Sequence, residues 1–171
     1  MPEEAIIHRT RGSTHGPITR LVSPSDLGEV IKPFIFLDRF ETLVGGPPLG
    51  FGMHPHSGIA TLTYLMDGQM QYEDTTGEHG ARGTLPNHGV EWMMAGGGVW
   101  HRSNPVDAER VMGFQLWVAM PPELELADAH SLYWTQKTCP KWARRACCWA
   151  VLKARPARFP RPPISPTWAC T

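Results

Sequence analysis

Two histidines separated by one proline, His54-Pro55-His56, stand just ahead of an apolar, β-branched and aromatic run, Ile59 to Met66. Side chains at i and i+2 of an extended chain share a face. Pro55 fixes φ between them and stiffens the pair. Two imidazoles side by side can chelate one divalent metal with bonds of about 2.0–2.2 Å. A lone His-x-His is more often a solvated or hydrogen-bonded pair, so a third ligand decides the matter. His101 offers it. It follows Gly96-Gly97-Gly98-Val99-Trp100, a strand end free to bend, with two apolar neighbours as shields. No Lys-Ser/Thr follows these glycines, so they are not a phosphate loop. His8, His15, His79 and His130 read as surface residues, and His88 lies in a Pro86-Asn87-His88-Gly89 turn. Glu91 reads as a strand carboxylate whose functional role would be to orient a ligand from behind. Tyr64, Trp100 and Met93-Met94 read as core.

These residues need strands to hold them. The 17 glycines and 17 prolines argue for short strands and turns rather than long helices. Phe34 to Leu37 is a buried-strand candidate, and Gly45-Gly46-Pro47-Pro48 a turn. Ile59 to Met66 reads as a strand closed by Asp67-Gly68, with Gln69 to Asp74 as its hairpin return. Val90 to Ala95 is another strand. Val111 to Met120 is the clearest one, with Met112, Phe114, Leu116, Val118 and Met120 alternating with Gly113, Gln115, Trp117 and Ala119. A helical turn is expected after Pro121-Pro122. Continuing the His54/His56 parity through Gly58, Ala60, Leu62, Tyr64 and Met66 predicts that the imidazoles share the face of that row, the one turned inward. Many short strands without βαβ alternation make a sandwich or closed barrel.

Charge divides the chain. Residues 1–138 hold 9 Lys and Arg against all 16 Asp and Glu, a net −7; residues 139–171 hold 7 Lys and Arg and no acid, a net +7. The second segment also carries all four cysteines, Cys139, Cys147, Cys148 and Cys170. We read 1–138 as one domain. The basic tail rich in Cys, Pro, Arg and Trp reads as a degenerate or out-of-frame segment. A basic arm for an acidic partner and a zinc-binding segment are weaker readings, since paired CxxC spacing is missing. Within the tail, Trp149 to Leu152 is a short-strand candidate. Overall neutrality gives no electrostatic case for nucleic acid or an anionic membrane as partner. No apolar run of about 18 residues is present, and the first residues lack a secretory h-region. A cytoplasmic location is the expectation.

The motifs resemble those of the pirin family of cupins. His54-Pro55-His56-Ser57-Gly58, Thr61 to Leu65 and Gly68 look like its first motif, and Glu91 to His101 like its second. Pro33-Phe34 through Leu37-Asp38 and Gln115 to Val118 also fit, so the match covers about residues 20–135. The resemblance implies an all-β cupin barrel, a double-stranded β-helix or jelly roll, with the second cupin domain of the family missing or rudimentary. It implies one divalent transition metal, iron(II) first, with copper, nickel, zinc or manganese as alternatives. The family's three histidine ligands fall on His54, His56 and His101. Its fourth ligand, a glutamate two residues after the third histidine, falls on Ser103. Ala60 and Ser57 likewise replace a glutamate and an arginine of the first motif.

Two functions follow from the resemblance. One is an oxygen-dependent dioxygenase acting on flavonols such as quercetin, with Ser103 at the fourth position and Glu91 behind the ligands. The other is a non-enzymatic, iron-dependent redox sensor that binds a regulatory protein of transcription. A remnant with an intact barrel and no activity is the third outcome. The expected partners are a small aromatic substrate or a regulatory protein, and a homodimer is plausible where a second barrel would pack.

Overall fold

The computed structural model describes residues 6, 8–43, 52–106 and 109–135. The tail from residue 139, its cysteines, its expected strand and the Gly45–Pro48 turn lie outside the described residues. All described residues belong to one compact unit, Met1–Thr138.

The described residues form eleven strands in chain order: β1 (Ser13–His15), β2 (Ile18–Val22), β3 (Phe34–Leu43), β4 (His54–His56), β5 (Ile59–Asp67), β6 (Gln69–Asp74), β7 (Ala81–Leu85), β8 (Val90–Met94), β9 (Val99–Val106), β10 (Arg110–Ala119) and β11 (His130–Trp134). One short helix, α1 (Leu27–Val30), sits between β2 and β3 and is capped by the Asp26 side chain on Leu27 N. Pro121 starts a hydrogen-bonded turn, Leu124 N to Pro121 O at 2.8 Å, where a helical turn was expected. The strands form two sheets, β1-β2-β3-β10-β5-β8-β11 and β4-β9-β6-β7. This is the cupin barrel that the resemblance implies.

The register shows which rows face inward. In the large sheet Asp38, Gln115, Thr63, Glu91 and Tyr133 lie opposite one another across five strands. One level on, Phe40, Gly113 and Leu65 form a second row. Phe40, Leu65 and Val111 from this sheet pack with Met70 and Leu85 from the small sheet to fill one end of the barrel. Inward apolar rows of opposing sheets are what hold such a fold together.

Two expectations are corrected here. β6 is not the hairpin return of β5: it pairs with β7 and β9 in the other sheet. Gly68, at φ 81°, is instead a corner where the chain changes sheets, and a Cβ there would stand 2.3 Å from the Arg110 carbonyl oxygen. The parity carried from His54 into β5 also fails. β4 and β5 belong to different sheets, and Gly58 at φ 70° breaks the alternation between them. The cavity-facing row of β5 is therefore Thr61, Thr63 and Leu65, not Ala60, Leu62 and Tyr64. In β10, likewise, Gln115 lines the cavity and Trp117 reaches His56, while Met112, Phe114, Leu116 and Val118 form the opposite row.

Candidate metal centre

β4 lies antiparallel to β9, with His54 opposite His101 and His56 opposite Val99. The i, i+2 spacing puts both β4 imidazoles on the inward face, and the register sets His101 across from His54, so that the three rings form a triangle. Ring centroids are 5.0 Å apart for His54 and His56, 4.4 Å for His54 and His101, and 4.9 Å for His56 and His101. One ligand nitrogen from each ring lies within 4.8 Å of the others. Trp117 packs edge-on to His56 at 5.2 Å, and Phe36 stacks on Trp117 at 4.1 Å. An aromatic wall thus limits how far His56 can swing.

The hydrogen bonds fix which nitrogens point inward. His54 Nδ1 donates to the Gly52 carbonyl oxygen at 2.9 Å, so its Nε2 carries the lone pair in the neutral ring. That Nε2 lies 3.0 Å from His101 Nε2. In the metal-free neutral rings His101 Nε2 donates to His54 Nε2; two nitrogens each about 2.1 Å from one ion and at right angles to one another also stand about 3.0 Å apart, so an ion could replace that proton without moving the rings. His56 Nε2 and His101 Nδ1 are buried without a hydrogen-bond partner. An ion bound at His56 Nε2 would satisfy that atom; on His101 it would take Nε2 and leave the ring proton on Nδ1. Burial, and then the neighbouring His54, lower His56 to about 4 and His101 to about 3. Both rings are therefore neutral near pH 7, the form in which imidazole binds a metal. The donor set fits a divalent transition ion.

Ser103 lies two residues along β9 from His101, so its side chain shares that face. It lines a cleft of about 70 Å³ together with His54, Thr63, Gln115, Asp38, Met70, Phe40 and Ile18. Its hydroxyl offers a neutral oxygen where a carboxylate would bring charge. Glu91 is 2 % exposed and turns toward Tyr133, with Oε1 3.3 Å from the phenol oxygen. His8, His15 and His79 are exposed as expected, whereas His130 and His88 are half-buried; His88 Nδ1 lies 3.1 Å from the Tyr64 hydroxyl. Trp100, expected in the core, is 51 % exposed because it alternates with the inward His101.

The Pirin family profile matches residues 17–118. The chain belongs to the pirin family. A Pseudomonas aeruginosa protein named as a candidate quercetin 2,3-dioxygenase is 42% identical over 115 residues, covering 66% of this chain and 39% of that protein. Among solved structures, GK1651 from Geobacillus kaustophilus superposes with a TM-score of 0.64 at 27% identity, over 75% of this chain and 49% of its own. A quercetin 2,3-dioxygenase from Acinetobacter baumannii follows at 0.62 and 28%, over 72% of this chain and 44% of its own. This pirin chain therefore spans less than half the length of these relatives.

The residue that sequence reasoning missed is Asp74. It ends β6, lies directly opposite His101, and is 3 % exposed. The signal available was Asp74-Thr75-Thr76, an Asp followed two residues on by a backbone N–H it can accept.

Proposed function

We propose that this pirin chain holds one divalent transition metal on His54, His56 and His101, and that the centre serves oxygen-dependent cleavage of a flavonol-type substrate. The observation that carries the reading is the convergence of three inward imidazoles, two with facing nitrogens 3.0 Å apart. The Acinetobacter relative, named a quercetin 2,3-dioxygenase, supports the substrate class. Iron(II) is the metal we favour, because it is the one whose oxidation state the chemistry of dioxygen most readily engages.

A bound metal would supply Lewis acidity toward a substrate hydroxyl and a binding position for dioxygen. The chain's own residues do the rest. Burial keeps His56 and His101 neutral and so available as ligands. The Gly52 carbonyl fixes the His54 ring, so its Nε2 needs no reorientation. Trp117 backs His56. The cleft of about 70 Å³ has room for the metal-binding edge of a substrate, to which Thr63, Gln115 and Ser103 offer hydrogen bonds. Ser103 is a weak proton acceptor, so the substrate hydroxyl must ionise without a carboxylate at that position.

The test is oxygen uptake with quercetin by iron-loaded chain, read beside bleaching of the flavonol's visible absorbance. Coupled loss of both, abolished in His101→Ala, is the expected result. No uptake by a fully loaded protein would remove the dioxygenase reading and leave the metal centre.

A second reading has one observation in its favour. On the outer side of the ligand strands, Trp100 is 51 % exposed beside the half-exposed Met53, with Pro55 opposite Trp100. An apolar surface carried by the metal-bearing strands suits a protein partner. In that case the iron state would tune affinity for a regulatory protein, and no turnover would be seen.

A further inference from the structure

Behind the histidines lies a second buried polar assembly, made of Asp74, Tyr133 and Glu91. Across the small sheet the register runs His54, His101, Asp74. His101 thus has an imidazole on one side and a carboxylate on the other. Directly opposed residues of antiparallel strands have Cβ atoms about 4.5–5.5 Å apart. Asp74 Oδ1 accepts Thr76 N at 2.8 Å, the Thr76 hydroxyl at 2.6 Å and Ala81 N at 3.3 Å, while Oδ2 accepts the Tyr133 hydroxyl. Oδ1 thus carries three donors and Oδ2 one, none of them from His101, whose Nδ1 has no hydrogen-bond partner, so Asp74 acts on His101 as a charge.

Tyr133 has one hydroxyl hydrogen, and Asp74 takes it. Glu91 Oε1 nevertheless lies 3.3 Å from the same phenol oxygen. That contact is attractive when Glu91 carries its own proton and donates it to Tyr133. Proton counting therefore gives a directed chain from Glu91 through Tyr133 to Asp74. Burial pushes Glu91 up, in keeping with a protonated acid.

We propose that Asp74 is the anion of the centre, a positioning residue held against His101, and that Glu91 is a protonated acid that anchors it through Tyr133. This rests on the metal reading above and deepens it. Three neutral imidazoles and a serine leave a divalent ion uncompensated by its direct ligands. One buried negative charge on the next strand of the same row offsets part of that charge. His101 Nδ1, buried and unpartnered, carries the ring proton whenever Nε2 is a ligand.

The test has two arms. Infrared spectra of the metal-free protein should contain a protonated-carboxyl C=O band that disappears in Glu91→Gln. Cobalt(II) titration should show Asp74→Asn weakening binding about 10- to 100-fold and shifting the visible spectrum of the bound ion. Glu73→Gln removes a charge one residue away on the outer face and should change affinity less than about threefold. If Asp74→Asn fails to fold, Tyr133→Phe must shift the Glu91 carboxyl band. Absence of that band, no band shift in Tyr133→Phe, or wild-type cobalt affinity in Asp74→Asn overturns the proposal. A wild type that binds no cobalt, with the carboxyl band present, removes the metal reading and the compensating role of Asp74 but leaves the protonated chain standing.

Discussion

Two buried polar groups share this barrel, and they differ in completeness. In the acid–phenol assembly, four donors converge on the Asp74 carboxylate, and Tyr133 joins the two sheets by bonding Asp74 while stacking on Tyr72 at 3.6 Å. In the histidine cluster, His56 Nε2 has no partner, and the Nε2 atoms of His54 and His101 face each other. A closed assembly contributes to the fold by itself. An open one of equal burial loses free energy until something from outside fills it. The difference separates scaffold from site without appeal to any relative.

The comparison breaks most visibly at Asp74. Asp74→Ala leaves the Thr76 and Ala81 amides and two hydroxyls without their acceptor, and should cost about 3 kcal/mol or more of unfolding free energy. Urea melts of the metal-free protein measure it; a loss below about 1 kcal/mol would mean that water replaces the carboxylate.

The histidine cluster should gain what Asp74 already has. A metal at about 100 times its dissociation constant adds about 2.7 kcal/mol to the folded state. Thermal melts with and without zinc(II) should show the rise in wild type and none in His101→Ala.

Acid should act on the open cluster too. His56 and His101 are lowered in the folded chain, to about 4 and about 3, by burial and then by His54. The unfolded chain, with ordinary imidazoles near 6.5, takes up protons first. Stability of the metal-free protein is therefore full above about pH 6.5. It is lost as pH falls through the folded values. His56→Ala should flatten the melting temperature measured between neutral and acidic pH; an unchanged slope would place the proton uptake elsewhere.

The smallest effect belongs to the outer face of the same strands. Arg102 pairs with Glu73, with side chains 49% and 34% exposed. Arg102→Ala should change stability by less than about 1 kcal/mol, as read in the same urea melts.

Much of the site was legible. His-x-His spacing with a proline between, and a third histidine after a glycine-rich bend, single out the three histidines that the fold brings together. Strand content and the positions of β5, β8 and β10 followed from alternation and turn residues. Which face of β5 looks inward did not, because a change of sheet at Gly58 resets parity and depends on pairing with distant β9. Asp74 and Tyr133 were not legible as a pair. They lie far apart in the chain and meet only because β6 and β11 close the barrel from different sheets. Glu91 reads in the sequence as an exposed or hydrogen-bonded strand carboxylate, and the row shared with Thr63 and Tyr133 accounts for its burial.

The central claim is that the open histidine cluster is a metal centre. Its most direct test is metal content by mass spectrometry of chain purified without chelator or nickel resin, beside His101→Ala. The account predicts about one transition-metal ion per wild-type chain, and its loss in the variant. Metal-free protein in both cases, even after anaerobic addition of iron(II), would contradict it.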